Sequence, residues 1–252
     1  MNDEELISTR EADVLHLRLN RPDKGNALSA SLVARLAEAV EAATCDEHLR
    51  LLVLSGAGRH FCTGFDLSDL DHETDDSLLA RFTRVELMLQ AVYRAPFATL
   101  ALAQGRTMGA GADLFAACTE RWIVSDAGFA FPGAAFGLVL GTRRLAALVG
   151  PACAAQWIES GQAIDAAGAC ASGFATRQIR ADDMEAEQAR LRARVSRLDL
   201  ATQRGIHAAI DAARRPHADA GDAEDLARLV RSAARPGLRE RIAAYRAMQG
   251  KH

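Results

Sequence analysis

The sequence has few aromatic residues, no strong excess of one charge and no long apolar segment, and each of these absences excludes a class of protein. Aromatic residues make up 5% of the 252 residues while 49% are hydrophobic, so small and aliphatic side chains must form most of the core. A net charge of −3 gives no support to a nucleic-acid-binding surface. No apolar stretch approaches the length of a membrane span, so no membrane partner is expected.

Cysteine is also scarce, and its placement predicts no metal site. The five cysteines are odd in number and lack the paired spacing of metal ligands; they are Cys45, Cys62, Cys118, Cys153 and Cys170. They are interpreted as small core residues in a reducing compartment. Neither Cys62 nor Cys118 has an adjacent base in the sequence, so a thiol nucleophile is not expected. Residues 1–6 are acidic and lack an apolar region, which predicts no secretory signal and a cytoplasmic protein.

Strand and helix patterns alternate through the first part of the chain. Residues 14–19 alternate between apolar and polar, whereas residues 51–54 are all apolar, as in a strand covered on both faces. The other predicted elements are strands over 97–102 and 122–125, helices from Ser29, over 78–93 and over 142–149, and a mobile polar loop over 69–77. From Pro151 onward the pattern is helical, with breaks at Gly161, Gly173, Pro216 and Pro236. This order predicts an α/β domain followed by a C-terminal helical subdomain.

The most informative stretch runs from an apolar segment at 99–103 through Gly105, Gly109 and Gly111 into a helix of small residues. At such a turn the first N–H groups of the helix lack intrahelical partners, and the helix dipole makes the potential positive. Glycine also permits close approach of a ligand to the backbone. An anion or oxyanion site is therefore expected near residues 109–111, with the Asp113 carboxylate just beyond it. Simple tight turns have similar glycine patterns, and so do short-chain dehydrogenases.

A second glycine-rich loop, residues 55–67, also follows a predicted strand. Together the two loops could direct the backbone N–H groups of Phe65 and Ala110 to one point, where they would stabilise a carbonyl oxygen that gains negative charge. Spacing alone leaves this pairing open, because the loops are far apart in the sequence. A short-chain dehydrogenase is excluded, because its Tyr-x-x-x-Lys pair is missing: Tyr93 and Tyr245 are followed at the fourth position by Phe97 and Gln249.

Five segments resemble, in the same order, the landmarks of the crotonase, or enoyl-CoA hydratase/isomerase, superfamily. They are residues 19–28 (LNRPDKGNAL), 53–67, 103–114, 136–145 and 161–175. The resemblance implies a spiral of βαβ units over residues 1–195, and a C-terminal helical subdomain over residues 196–252 that forms trimers or hexamers. It also implies an acyl-CoA substrate, with coenzyme A as part of that substrate and no permanently bound cofactor.

The same resemblance assigns roles to individual positions. Phe65 and Ala110 match the residues whose N–H groups form the family's oxyanion hole, and Phe65 replaces a small residue, which is expected to narrow the acyl pocket. Asp113 matches the first of two catalytic glutamates of the hydratases, whereas Gly133 stands at the second. The substrate-binding positions are Lys24, Ala27, Cys62, Gly64, Asp66, Leu67, Met108, Gly109, Pro132 and Gly133. Lys24, Arg21 and Arg59 are candidates for the coenzyme A phosphates, or are solvated surface cations.

The departures at the two glutamate positions decide which chemistry is expected. Adding water to a double bond needs both a base and an acid, and one shortened carboxylate beside a glycine fits this poorly. A shift of the double bond needs a single carboxylate, which Asp113 could supply if burial raises its pKa. Two other interpretations stay open: Asp113 as an aspartate favoured only by the helix dipole, and a thioester-binding protein that has lost catalysis. Asp66 is interpreted as a helix cap.

Overall fold

A six-stranded sheet forms the centre of the structure, a computed structural model that describes residues 4–214 and 218–249. The strands lie in the sheet in chain order: β1 (Leu6–Glu11), β2 (Val14–Leu19), β3 (Leu51–Gly56), β4 (Ala98–Met108), β5 (Glu120–Ala130) and β6 (Arg177–Ile179). β1 and β2 are antiparallel, and every later pair is parallel. Parallel strands in chain order with helical crossovers between them confirm the predicted spiral of βαβ units.

The helices surround this sheet and continue to the end of the described chain. They are α1 (Ala30–Cys45), α2 (Asp75–Tyr93), α3 (Ala110–Ala117), α4 (Thr142–Val149), α5 (Pro151–Ser160), α6 (Ala166–Ala171), α7 (Met184–Val195), α8 (Leu200–Arg214), α9 (Ala218–Ala233) and α10 (Leu238–Gln249). Ser29 is the N-cap of α1, as predicted: its hydroxyl accepts the Leu32 N–H at 3.0 Å. The break predicted at Pro216 lies outside the described residues.

Two strands and one helix start escaped the sequence prediction. β1 buries only Leu6, so it carries no apolar alternation, and β6 has three residues. The loop predicted over residues 69–77 is wrong at its C-terminal end, because α2 begins at Asp75. There the side chains of Thr74 and Ser77 each accept the other residue's backbone N–H, a capping box.

A cluster of aromatic residues packs around Phe115 and holds α3 in place. Phe115 of α3 packs on Phe129 and Phe174, with ring centroids 5.0 and 5.4 Å apart, and meets Phe61 edge-on. Every residue of α3 is buried, and the helix packs against β4, β5, α2 and α4. A helix enclosed on all sides in this way gives Asp113, in its first turn, a defined position.

The C-terminal helices return to the first part of the chain. α9 packs against α2, and α10 packs against both α2 and the 3₁₀ helix Pro132–Phe136. The proposed boundary between residues 195 and 196 falls in the connection between α7 and α8 and stays a prediction. Among the described residues, none of the helices combines the length and the apolar content needed to cross a bilayer.

Candidate active site

A cavity of about 600 Å³ opens where β4, β5, α3 and α10 meet. Both glycine-rich loops contribute to its wall, although some forty residues separate them in the sequence. The sequence-predicted site residues that line it are Gly64, Phe65, Leu67, Met108, Gly109, Ala110, Asp113, Pro132 and Gly133. Lys24, Ala27, Cys62 and Asp66 do not line it. The fold therefore brings most, but not all, of the predicted positions to one cavity.

The two loops approach each other closely enough to present two backbone donors to this cavity. A Cβ on Gly64 would lie 2.7 Å from the Met108 carbonyl oxygen and 3.6 Å from the Ala110 nitrogen, so only glycine fits there. Leu28 bonds the first loop on either side of Phe65, through Gly64 O at 2.7 Å and Asp66 N at 3.1 Å. Within the described residues, the N–H groups of Phe65 and Ala110 donate to no acceptor. Both are free for a ligand.

The three glycines of the central stretch serve different purposes. A Cβ on Gly105 would lie 2.3 Å from the Arg59 carbonyl oxygen, and one on Gly111 would lie 2.3 Å from the Cys62 carbonyl oxygen. These two glycines therefore let one loop pack on the other. Gly109, at φ +50°, has Pro132 as its nearest neighbour at 3.8 Å, so it alone of the three leaves room for a ligand. The predicted anion or oxyanion site near residues 109–111 stays a prediction, with Gly109 as the glycine beside open space.

Asp113 is a buried carboxyl group without a partner. Asp113 is 4% exposed, and no described residue forms a hydrogen bond or an ion pair with its side chain. Burial raises the pKa of the Asp113 carboxyl to about 8; the Arg144 guanidinium lowers it and the Glu86 carboxylate raises it. A carboxyl group that titrates near neutrality can both accept and return a proton at physiological pH.

The Asp113 carboxyl depends on a glycine for its place. A Cβ on Gly141, the residue before α4, would lie 1.9 Å from Asp113 Oδ1. The side chain therefore occupies space that any other residue at 141 would take. Gly141 has φ +65°, a conformation that independently favours glycine. No local sequence pattern indicates this contact, because residues 113 and 141 are far apart in the chain.

Across the cavity from Asp113, the described residues include no second acid. Gly133 lies in the 3₁₀ helix Pro132–Phe136, and a Cβ there would have only Leu138 Cβ within contact, at 3.8 Å. Among the described lining residues, Asp113 carries the one carboxyl group. In that same part of the chain, no three His, Cys, Asp or Glu side chains are grouped so that they could hold a metal ion.

Phe65 forms a fixed wall of the cavity. Its ring stacks on Phe82 of α2, with centroids 4.1 Å apart, and the Arg81 guanidinium carbon lies 4.2 Å from its centroid. Arg81 is held in turn by Glu73 and by the Asp66 carbonyl oxygen at 3.0 Å. The side chain is therefore anchored to α2, which the sequence could not indicate. That it narrows the acyl pocket stays a prediction.

Asp66 of the first loop and Arg21, two predicted site residues, bind each other. Asp66 pairs with Arg21 at 2.8 Å and accepts the Ser68 N–H at 2.9 Å. Burial would raise the pKa of Asp66, but these hydrogen bonds outweigh it and lower the pKa. The interpretation of Asp66 as a helix cap is wrong, because the next helical turn begins only at Leu70. Arg21 also pairs with Glu5 at 2.7 Å, so this candidate phosphate ligand is already engaged.

The remaining candidate residues do not line the cavity. Cys62 is fully buried, burial raises the pKa of its thiol to about 12, and its carbonyl oxygen accepts the Met108 N–H at 3.0 Å. Ala27 is buried, whereas Lys24 and Arg59 are exposed. A protonated, enclosed thiol does not favour Cys62 as a nucleophile, as expected from the sequence.

Four exposed or half-buried residues at the opening were not predicted. They are Arg106 at the end of β4 and Tyr245, Arg246 and Gln249 of α10. Arg246 donates to the Leu67 carbonyl oxygen at 3.0 Å, which ties α10 to the first loop. Burial raises the pKa of Tyr245, against the effect of the Arg106 charge. Two cations therefore lie at the opening. One of them, Arg246, belongs to α10, a helix that no local sequence motif connects to the site.

The chain is similar in sequence to known enoyl-CoA hydratases and isomerases. The profile of the enoyl-CoA hydratase/isomerase family matches residues 9–234. The 2,3-dehydroadipyl-CoA hydratase of Escherichia coli is 34% identical over 175 residues, which cover 68% of this chain and 67% of that protein. The mitochondrial Δ(3,5)-Δ(2,4)-dienoyl-CoA isomerase of Mus musculus is 30% identical over 158 residues, 57% of this chain and 48% of that protein.

A solved structure agrees over nearly the whole chain. It is a protein from Bordetella parapertussis assigned, without proof of activity, as an enoyl-CoA hydratase/isomerase. The two are 42% identical and superpose with a TM-score of 0.89, covering 96% of this chain and 98% of that one. The likeness therefore extends through the C-terminal helices that close the cavity.

Proposed function

Because the chain belongs to the enoyl-CoA hydratase/isomerase family, whose members are lyases and isomerases, we propose that it moves a proton between carbons of an acyl-CoA thioester by way of an enolate. The observation that supports this most is the Asp113 carboxyl: buried, without a partner, and the one acid among the described lining residues. A single carboxyl group is enough to carry one proton from carbon to carbon. It is not enough for the two-acid addition of water.

The proposed oxyanion hole consists of the Phe65 and Ala110 N–H groups. When a base removes a proton next to a thioester carbonyl, negative charge moves to the carbonyl oxygen. Two donors already oriented toward that oxygen stabilise the enolate without reorganisation, and removal of one such donor typically costs 10²- to 10³-fold in rate, or about 2.7–4 kcal/mol. The free state of both groups in the structure supports this role.

Asp113 is proposed to act first as base and then as acid. Its carboxylate takes a proton from one carbon, the electron pair moves into the enolate, and the carboxylic acid returns the proton to another carbon of the same conjugated system. Atoms and charge balance without a cofactor. A pKa of about 8 keeps both protonation states populated near neutrality, and general acid–base catalysis of this kind contributes about 10²- to 10⁴-fold.

The substrate is proposed to be held by its coenzyme A portion at the opening and by its acyl portion inside. Arg106 and Arg246 are exposed cations that could pair with phosphate groups. The interior wall is largely apolar, formed by Phe65, Phe82, Phe136, Leu138 and Leu140, and suits an uncharged acyl chain. On this proposal coenzyme A enters as part of the substrate, with no permanently bound cofactor.

A homotrimer or hexamer is proposed for the assembly. Leu198, Ile206 and Ile210 lie on and before α8 with more than 40% of their surface exposed, which is unusual for large apolar side chains and supports burial against another subunit. Light scattering coupled to size-exclusion chromatography tests this, and a monomer at micromolar concentration would contradict it.

Proton exchange in heavy water tests the activity. A panel of saturated and unsaturated acyl-CoA thioesters is incubated with the wild-type protein and with Asp113→Asn, and deuterium uptake is read by mass spectrometry. We expect uptake that falls by at least about 10²-fold in Asp113→Asn. Asp126→Asn, which removes an exposed carboxylate from β5, is the matched control and should exchange like the wild type.

Two outcomes would contradict the proposal. Unchanged exchange in Asp113→Asn would remove Asp113 from the mechanism. Tight thioester binding with no exchange by any variant would favour a binding protein that has lost catalysis.

The oxyanion hole is tested separately by infrared spectroscopy of a bound ¹³C-labelled thioester. Its carbonyl stretch should move to lower frequency, and an unshifted band would exclude the two N–H groups as donors to the carbonyl oxygen.

A further inference from the structure

Behind the cavity lies a fully buried ion pair with no role in the mechanism proposed so far. Glu86 of α2 and Arg144 of α4 are each 1% exposed, and the guanidinium meets the carboxylate with two hydrogen bonds of 2.7 and 2.6 Å. Gln90 adds a third bond to Glu86, at 2.8 Å. Neither residue lines the cavity.

Such a pair is a poor way to stabilise a fold. Removing two charges from water costs about as much as their attraction returns, and apolar residues of similar size often serve as well. The pair also leaves one donor unsatisfied: Arg144 Nε is buried and has no hydrogen-bond acceptor in the described structure. A role beyond packing is the more economical account of these two charges.

Both charges act on Asp113. α3, which carries Asp113, packs directly against α2 and α4, the two helices that supply the pair. Gly141, in contact with the Asp113 carboxyl, lies three residues before Arg144. The Arg144 charge lowers the pKa of Asp113 and the Glu86 charge raises it, with Arg144 the stronger of the two. A buried donor without an acceptor and a buried acceptor without a donor thus lie in the same region.

Other charges near the pair belong to α4 and α9. Arg143 binds Asp222 and Asp225, both at 2.8 Å, and Asp222 also binds Arg94 at the end of α2. Asp225 acts on Arg144, whereas no direct effect of these four groups on Asp113 is resolved. On the strands, Arg106 is exposed at the cavity opening, and Arg121 is bound to the Phe174 carbonyl oxygen. Arg144 and Glu86 are therefore the charged groups to which Asp113 responds.

We propose that the Arg144–Glu86 pair is a positioning element of the active site, which fixes two buried charges of opposite sign beside the helix that carries Asp113 and so sets the protonation state in which that carboxyl group meets the substrate. The inference rests on the proposed function for its catalytic meaning. Its physical content, that two buried charges control the titration of Asp113 with opposite signs, stands without it. Neither residue touches substrate.

The two signs give a test that a merely structural role would not pass. Glu86→Gln removes the negative charge and leaves Arg144, so the apparent pKa of Asp113 should fall by about one unit, the low end of what a nearby charge does. Arg144→Gln removes the positive charge, so the pKa should rise by a similar amount. Arg144→Lys keeps the charge and should stay close to the wild type. In Glu86→Gln/Arg144→Gln the two effects oppose each other, and because the Arg144 charge is the stronger, the pKa of Asp113 should end above the wild-type value but below that of Arg144→Gln.

The pKa is read in two ways. The first is the pH profile of deuterium exchange into the thioester that the wild type accepts. The second needs no activity: the pH at which the thermal stability of each protein departs from that of the same protein carrying Asp113→Asn. Opposite shifts in Glu86→Gln and Arg144→Gln by either readout support the proposal. Shifts of the same sign, or none, overturn it.

The two readouts separate this proposal from the proposed function. If the wild type exchanges no proton while the stability readout shows opposite shifts, the function fails and the electrostatic control stands. If exchange occurs and neither readout shifts in any variant, the proposed function stands and the electrostatic control fails. Should a single variant fail to fold because it leaves a buried charge unpaired, the double variant avoids an uncompensated charge. Its Asp113 should titrate above that of Arg144→Lys, which keeps the positive charge, and equal pKa values in these two variants would overturn the proposal.

Discussion

Asp113→Asn should make the protein more stable at high pH, because above about pH 8 the folded wild type contains a buried, charged Asp113 carboxylate. An unfolded aspartate loses its proton near pH 3.8, whereas the folded one holds it to about pH 8. Between these values the folded state binds more protons than the unfolded state, so the free energy of unfolding falls as pH rises. Below pH 4 the group is neutral in both states and the effect disappears.

The size of the effect follows from the two pKa values. At about 1.36 kcal/mol per unit, a rise from 3.8 to about 8 corresponds to an upper limit of about 5–6 kcal/mol. Asp113 lines a cavity that water can enter, and water there would solvate part of the charge. About half of the limit, or about 3 kcal/mol, is the expected gain above pH 8. For a chain of this length that corresponds to an increase in Tm of about 6–12 °C.

Differential scanning calorimetry from pH 4 to pH 9 at fixed protein concentration measures this. Near pH 4 and below, the side chain is largely neutral in the folded and the unfolded states of both proteins, so their Tm values should nearly coincide there and diverge as the pH rises to about 8. Asp126→Asn, altered at an exposed carboxylate, should follow the wild type at every pH. A constant difference between wild type and Asp113→Asn across the range would refute the assignment of a raised pKa to Asp113.

Three further predictions concern the cavity wall, the placement of Asp113 and the thiols. Phe65→Ala should shift the substrate preference toward bulkier acyl groups, which kcat/KM across a thioester panel measures. The lost ring contacts should lower the free energy of unfolding by about 1–3 kcal/mol. Gly141→Ala should displace the Asp113 carboxyl and reduce kcat by about 10²-fold with little change in KM, since its Cβ would overlap Oδ1. Iodoacetamide should label exposed Cys45 first and Cys62 only after unfolding, as mass spectrometry of peptides would show.

Much of the fold could be predicted because its determinants are local. The alternation of residues 14–19 and the apolar run at 51–54 depend on which faces are buried, and both segments are strands in the structure. Ser29 caps α1 because its hydroxyl reaches an N–H three residues away. β1 escaped because a strand at the edge of a sheet is held by backbone hydrogen bonds, which leave little pattern in the side chains.

The sequence by itself determined the family, the two glycine-rich turns and the presence of one carboxylate beside a glycine at the two acid positions. These are properties of residue type and spacing, and they are the same in any conformation of the chain. The tertiary structure decided what those residues can do. Burial of α3 raises the pKa of Asp113, Gly141 makes room for its carboxyl, and α10 supplies a cation at the opening. Solvent exclusion and contacts between distant segments are absent from local patterns, because they arise only when the chain is packed.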